Sequence, residues 1–242
     1  MRFDILTLFP EVIESVLTSS IIGRARKKGI IQVNCVQIRD FAYDKHRQVD
    51  DYPYGGGLGM IMQPQPIYDA YKSVCKSGEK PYTVYLSPQG KTFRQSTAKR
   101  LSKKEHIVLL CGHYEGVDQR VIDEIADCEI SVGDFVLTGG EIAAMAVVDA
   151  TARLVPGVLK GEESFSDESF YNGLLEYPQY TRPEVWNDKR VPEVLLSGHH
   201  KNICLWKRKM SILNTFNKKR SMLAKAGLSD EEKEFVKQLK EK

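Results

Sequence analysis

The sequence predicts an α/β fold: an open, mainly parallel sheet with helices on both faces, followed by a small, mostly helical C-terminal domain. Three observations carry that expectation. Short apolar, strand-like runs alternate with helix-period segments through the first 155 or so residues, the pattern of βαβ units. Three of the strand runs end in glycine-marked turns, "SPQG" (87–90), "CGHYEG" (111–116) and "SVGDFVLTGGE" (131–141). Near Pro156 the alternation stops, and a polar, aperiodic stretch leads into a basic, helix-rich segment.

The elements follow in order. "FDILTLF" reads as a short buried strand, and Pro10 opens a helix at a position where its missing N–H costs nothing. "IQVNCVQI" (31–38) alternates as a second strand. Residues 39–63 show no period, and a loop of that length inside a compact domain is usually functional. A helix over about 66–76, a strand "YTVYL" (82–86), a helix over 93–102 and the apolar strand "HIVLLC" come next. "GVDQRVIDEIA" is helical, "CEISVGDFVL" holds a short strand, and "GGEIAAMAVVDATARL" reads as an amphipathic helix. The domain boundaries are 1–157 for the sheet domain, 158–175 for a linker and 176–242 for the helical domain. In the last of these, Ser229 and Glu232 have the spacing of a capping box.

With 242 residues, 42% hydrophobic and 28% charged, the chain can bury a core without a staple. Five cysteines with no CxxC pair argue against a disulfide framework or a structural zinc site, and for a reducing compartment. No signal peptide or membrane-length apolar run is present, so a soluble, cytoplasmic protein is expected. The net charge of +3 is mild, but it is unevenly spread. Between His199 and Ser229 lie eight basic residues and no acid, and Arg24, Arg26, Lys27 and Lys28 form a second cluster. Either can be a solvated helix face or a surface for a polyanion.

Several chemistries can be tested by spacing. In "YPYGGGLGM" (52–60), Met62 stands where a dinucleotide fingerprint needs its third glycine, and no lysine follows as a P-loop requires. With both nucleotide motifs excluded, the run is either a tightly turning Ω-loop or, beside a ligand pocket, a surface of close backbone approach. "CGHYEGVD" has the His-x-Glu of zinc deaminases without the PCxxC half. His199, His200 and Cys204 lack a further ligand, and no metal residues are assigned. The three glycine turns are more informative, because ligands of open parallel sheets bind beyond the carboxyl ends of the strands. Gly139 and Gly140 precede a helix start, and Val136 and Leu137 beside them suit a neutral ring better than a triphosphate. Arg153, at the polar end of its helix, and the linker acids Asp167 and Glu168 could stabilise an anion and remove a proton.

In this order, "LTLFPE", "IRDFAYDKHRQVDDYPYGGGLGMIMQPQPI", "YLSPQG", "CGHYEGVDQRV", "SVGDFVLTGGEIAAM", "RLVPGVL", "SFYNGLLEYPQYTRPEV" and "VPEVLLSGHH" span most of the chain. Together they closely resemble the bacterial tRNA (guanine-37-N1)-methyltransferase family of the SPOUT class. That resemblance implies a trefoil knot formed by the three glycine-marked loops, a homodimer with shared active sites, S-adenosylmethionine as co-substrate, and a tRNA with guanines at positions 36 and 37. By position, cofactor contacts fall on Tyr85, Leu86, Ser87, Pro88, Gln89, Gly90, Gly112, Tyr114 and Glu115. Further contacts fall on Val132, Gly133, Asp134, Phe135, Val136, Leu137, Gly139 and Gly140. Substrate contacts are expected from His46, Arg47, Asp50, Gly57 and Gly59, in the long loop.

Arg153 takes the place of the family's catalytic arginine. The linker departs from the family pattern: "SDESF" puts Glu168 in the place of the proposed general-base aspartate, with Asp167 before it. Position favours Glu168 as the base, with Asp167 the alternative. The basic C-terminal segment then reads as a tRNA-backbone surface. A dependence on Mg²⁺ is implied by the resemblance alone. The contrasting reading is a non-catalytic, RNA-binding SPOUT-like protein, which only the altered "SDESF" supports.

Overall fold

The computed structural model describes residues 1–75, 78, 80–161 and 168–241, and the chain divides into two compact units, Met1–Leu159 and Lys160–Lys242. The first unit is built on a five-stranded, wholly parallel sheet. Its strands are β1 (Arg2–Thr7), β2 (Gln32–Gln37), β5 (Tyr82–Thr92), β6 (His106–Cys111) and β7 (Cys128–Ser131), in the order β2-β1-β6-β5-β7. Between β2 and β5 a two-stranded antiparallel ladder, β3 (Asp50–Asp51) with β4 (Ile61–Met62), closes the base of the glycine-rich loop.

Both faces of the sheet are covered, which is why its inner strands read as continuous apolar runs. Alternate residues of β6 divide between two cores. Ile107, Leu109 and Cys111 face α1 (Pro10–Leu17), α2 (Ser20–Lys27), α4 (Gln95–Leu101) and α6 (Glu141–Ala152). Val108 and Leu110 face α3 (Pro64–Val74) and α5 (Gln119–Ile125). At the amino ends of the strands the fully buried Asp4 carboxylate is held by Asn34 at 2.9 Å, His106 at 2.6 Å and Arg2 at 2.8 Å. Three partners offset the desolvation of that carboxylate and tie β1 to its two neighbours.

Two elements differ from expectation. β5 runs on through Thr92: after Leu86 pairs with Ile130, residues 87–90 loop out, and Lys91 pairs with Ile130 again. The polar turn read from "SPQGKT" is thus an insertion within a strand, which only the neighbour's register could reveal. The helix α6 is not a one-faced amphipathic helix. It buries Ala143, Ala144, Val147 and Val148, yet Ile142 on its other side is 55% exposed.

The second unit contains a hairpin, β8 (Val185–Trp186) with β9 (Lys189–Arg190), and the helices α7 (Glu193–Leu196), α8 (His200–Lys219) and α9 (Asp230–Lys240). Its core is small: Leu174, Ile212, Leu223 and Val236. Leu174 and Leu175 fall in the segment that sequence assigns to the linker. Both are buried, and the Leu175 N–H donates to Thr215 Oγ1 at 2.8 Å. The capping box forms as expected. Ser229 Oγ accepts from the Glu232 N–H at 3.2 Å, and the Glu232 carboxylate accepts from the Ser229 N–H at 2.9 Å. No helix among the described residues is long and apolar enough to cross a membrane.

Candidate active site

The carboxyl ends of β5, β6 and β7 surround a cavity of about 320 Å³. Three segments supply most of its lining: 85–89 from β5 and its insertion, 112–117 after β6, and residues of 129–140 from β7 and the loop beyond, with Gln119, Ile122 and Ala143 completing it. All three segments carry one of the glycine-marked turns.

The glycines are explained by what passes over them. A Cβ on Gly90 would lie 2.5 Å from the backbone of Glu129 and Ile130, so the insertion can cross β7 only with no side chain there. A Cβ on Gly140 would lie 2.7 Å from Cys111 Cα, and the Gly140 N–H donates to the Gly112 carbonyl at 2.9 Å. His113 and Gly139 form an isolated antiparallel bridge, while the Phe93 N–H donates to the Ser131 carbonyl at 2.7 Å. The three segments are thereby joined backbone to backbone.

The cavity is lined by polar as well as apolar side chains, Ser87, Gln89, Glu115, Gln119 and Glu129 among them. Glu141, buried in the first turn of α6, accepts a 2.7 Å hydrogen bond from the Thr7 hydroxyl. Among the described residues, His113 Nδ1 is buried without a hydrogen-bond partner. The His113 ring is flanked by Phe9 and Tyr114, each with its ring centroid 5.0 Å away. Burial pushes the Tyr85 phenol up, and the nearby Glu129 carboxylate adds to this, so Tyr85 stays protonated at neutral pH. Leu86, Ile130 and Ala143 supply the apolar lining.

Of the seventeen residues expected at the cofactor, fifteen line this cavity. Gly90 and Asp134 do not: Gly90 packs on β7, and Asp134 is exposed. Sequence reasoning missed His113, Gly116, Val117, Thr138 and the strand residues Glu129 to Ser131. The first four lie inside or beside the motifs already singled out. A strand's side chains reach a site only through its register, and no sequence signal gives that.

The glycine-rich loop borders the same place. The Glu115 N–H donates to the Met60 carbonyl at 3.0 Å, and the Met62 N–H to the Gly116 carbonyl at 2.9 Å. A Cβ on Gly59 would lie 2.6 Å from Glu115 Oε1, a genuine close approach. Gly55 and Gly56 differ. Nothing lies within 4 Å of a Cβ there, and they are glycines because their φ values are +88° and +78°. Gly57, at φ +133°, would meet only the Pro53 ring at 3.7 Å. Left-handed backbone geometry therefore applies to all four, since Gly59 also lies at φ +85°, and Gly59 alone has the Glu115 side chain pressed against it as well. His46 and Arg47 are exposed, with Arg47 paired to Asp40 at 3.0 Å, and Asp50 is half-buried in β3.

Arg153 is half-buried at the C-cap of α6, in the first unit. Glu168 is half-buried in the second, where its carbonyl accepts from the Tyr171 N–H at 3.2 Å. Asp167 lies outside the described residues. Among the described residues no group of three or more His, Cys, Asp or Glu side chains could hold a metal ion, so Mg²⁺ has no assigned ligands.

Comparison with known proteins decides the family. The description tRNA (Guanine-1)-methyltransferase TrmD matches residues 1–226. The chain belongs to the tRNA (guanine-1)-methyltransferase family. A tRNA (guanine-N(1)-)-methyltransferase of Ruminiclostridium cellulolyticum is 58% identical over 226 residues, covering 93% of this chain and 97% of that protein. Proteins of the same name from Clostridium botulinum (strain Kyoto) and Clostridium perfringens are 54% and 55% identical, each over the whole of both chains. For a member of the tRNA (guanine-1)-methyltransferase family, the cavity between the three joined loops is the natural place to seek a cofactor. The "LTLFPE" and "GGE" motifs, far apart in the chain, meet beside it through Thr7 and Glu141.

Proposed function

We propose that this chain transfers the methyl group of S-adenosylmethionine to N1 of guanine 37 in tRNA. The observation that carries the reading is the cavity at the carboxyl ends of β5, β6 and β7 in a chain of this family. The residues present suit that cofactor. Leu86, Ile130 and Ala143 offer an apolar slot for a flat ring, and His113, whose Nδ1 has no hydrogen-bond partner among the described residues, lies in the same lining.

S-adenosylmethionine supplies an electrophilic sulfonium methyl. Guanine N1 carries a proton at neutral pH and is a poor nucleophile until that proton leaves. In this reading Glu168 accepts it as N1 attacks, the C–S bond breaks, and the electron pair stays on sulfur as a neutral thioether. Charge developing on guanine O6 is stabilised by the Arg153 guanidinium. Asp167 is the alternative base. Asp50 and Gly59, on the loop that meets Glu115, would contact the guanine ring, and rigid positioning of donor and acceptor supplies much of the rate.

The same reading makes the three joined loops the crossings of a trefoil knot. The working form is a cytoplasmic homodimer, and the basic face of the second unit follows the tRNA backbone. Single-turnover transfer to a tRNA with guanines at positions 36 and 37 tests the proposal, and 1-methylguanine at position 37 is expected. Cofactor binding without product would instead favour a binding-only protein. Asp167→Asn abolishing transfer while Glu168→Gln leaves it intact would move the base to Asp167.

A further inference from the structure

The segment from Tyr177 to Lys225 carries eleven basic residues against three acidic ones. Within it, residues 179–190 are exposed without interruption, and large aromatics alternate with cations: Tyr180, Arg182, Trp186, Lys189 and Arg190. Tryptophan and tyrosine are enriched at interfaces, where an apolar body and a polar tip are both used. Here Trp186 is 66% exposed, although nearby Tyr180 packs its ring against Trp206 at 6.3 Å.

Trp186 sits beside a tight turn. Asn187 and Asp188 have φ values of 51° and 61°, the two left-handed residues of a type I′ turn, whose twist matches that of its strands. Trp186 is paired directly with Lys189, so the indole and the ammonium group leave the hairpin on the same face. Arg190 is opposite Val185, its guanidinium 3.6 Å from Glu184, and the Val191 N–H donates to the Glu184 carbonyl at 2.9 Å. A flat aromatic surface with a cation beside it has the form of a stacking platform for an unpaired nucleobase, the cation meeting the adjoining phosphate. An apolar protein partner would need a wider hydrophobic patch than a two-residue strand provides in a run that also carries Arg182, Lys189 and Arg190.

We propose that the β8–β9 hairpin is an RNA-positioning device, with Trp186 stacking on an unpaired base of the bound tRNA and Lys189 on its backbone. This rests on the tRNA reading above and adds a recognition element to it. Trp186 is a positioning residue: it acts on how the RNA is held and leaves the methyl-transfer chemistry alone.

The two tryptophans of the chain, Trp186 and Trp206, make the test direct. In a full-length Trp206→Phe protein, Trp186 is the sole indole, and saturable quenching of its fluorescence by the tRNA substrate is expected. Trp186→Ala should raise the KM for tRNA by about tenfold or more, with kcat at saturating tRNA and affinity for S-adenosylmethionine within about twofold of the parent. Trp186→Phe should recover most of the loss and Trp186→Leu little, because stacking needs a π-face. Lys189→Ala should lower the salt slope of binding by about one, and Trp186→Ala should leave that slope alone.

An unquenched Trp186, or an unchanged KM in Trp186→Ala while the parent methylates tRNA, overturns the proposal and leaves the methyltransferase reading standing. Trp186→Leu behaving like the parent, with Trp186→Ala shifting the oligomeric state, would reassign the hairpin to a contact between copies of this chain. A parent protein that binds no tRNA at all would overturn both readings together.

Discussion

Thr7, at the end of β1, donates a 2.7 Å hydrogen bond to Glu141, 134 residues away in the first turn of α6. The Thr7 oxygen also accepts from the Phe9 N–H at 3.0 Å, so one hydroxyl fixes both the exit of the first strand and the start of the helix behind the cavity. Replacing Thr7 with valine keeps the shape and removes both bonds, one to a buried carboxylate and one from the Phe9 N–H. A loss of about 1–3 kcal/mol in stability is expected, measured by denaturant unfolding. Affinity for S-adenosylmethionine should weaken as well, because the loop before α6 is anchored through the same group. Unchanged stability and unchanged affinity would make the contact incidental.

Glycine substitutions should separate two causes. Gly90→Ala and Gly140→Ala each drive a methyl group into neighbouring backbone at 2.5 and 2.7 Å, and cofactor binding should be lost along with about 1–3 kcal/mol of stability. Gly55→Ala meets no atom within 4 Å and bears only the strain of a positive φ, about 1 kcal/mol. Calorimetry with S-adenosylmethionine should show near-parental affinity for Gly55→Ala and none for Gly90→Ala.

Acid should loosen the second unit. The Arg208 guanidinium, 2.7 Å from Glu232, holds that carboxyl below its ordinary value, and the Ser229 N–H adds to the effect. A carboxylate depressed in the folded state stabilises above its unfolded pKa, and the contribution is lost as pH falls through the folded one. Unfolding followed between pH 7 and pH 3 should therefore show a stability loss that Glu232→Gln flattens. A parent and variant with identical pH profiles would refute the coupling.

Thiol chemistry should follow burial. Cys204 is exposed, whereas Cys111 is fully buried, its thiol pushed well up by desolvation and by the Glu141 carboxylate. Cys35, half-buried and pushed up to about 12 by burial and Glu14, should also react slowly. Alkylation followed by mass spectrometry should label Cys204 first and Cys111 only on unfolding. Early labelling of Cys111 would mean that the joined loops open in the native state.

Loss of the charges assigned to catalysis should separate rate from binding. Arg153→Ala and Glu168→Gln should each lower single-turnover methyl transfer by about a hundredfold, with S-adenosylmethionine affinity little changed. Equal losses in both quantities would make either residue a support of the cavity.

Much of the site could be read from the chain because its motifs are local. Glycines before a helix, a strand followed by a tight turn, and the long aperiodic loop all announce themselves within a few residues. The less legible parts depend on neighbours. The hairpin at Trp186 is two residues per strand, too short for alternation to register, and its Asn-Asp turn lacks the glycine that usually marks a type I′ turn. Leu174 and Leu175 sit among polar residues and look like linker, although the second unit needs them to complete a small core.

By itself the sequence determined the alternating α/β architecture, the basic C-terminal segment, the family, and the three turns that carry the candidate cofactor residues. These follow from periodicity, composition and conformational demand, which are properties of short stretches. Only the tertiary structure decided that the three turns are joined backbone to backbone, and that Gly59 is the one member of its run pressed against a neighbour. It also decided that His113 and three residues of β7 line the cavity. Those facts depend on strand order and register, which arise when segments far apart in the chain pack against one another.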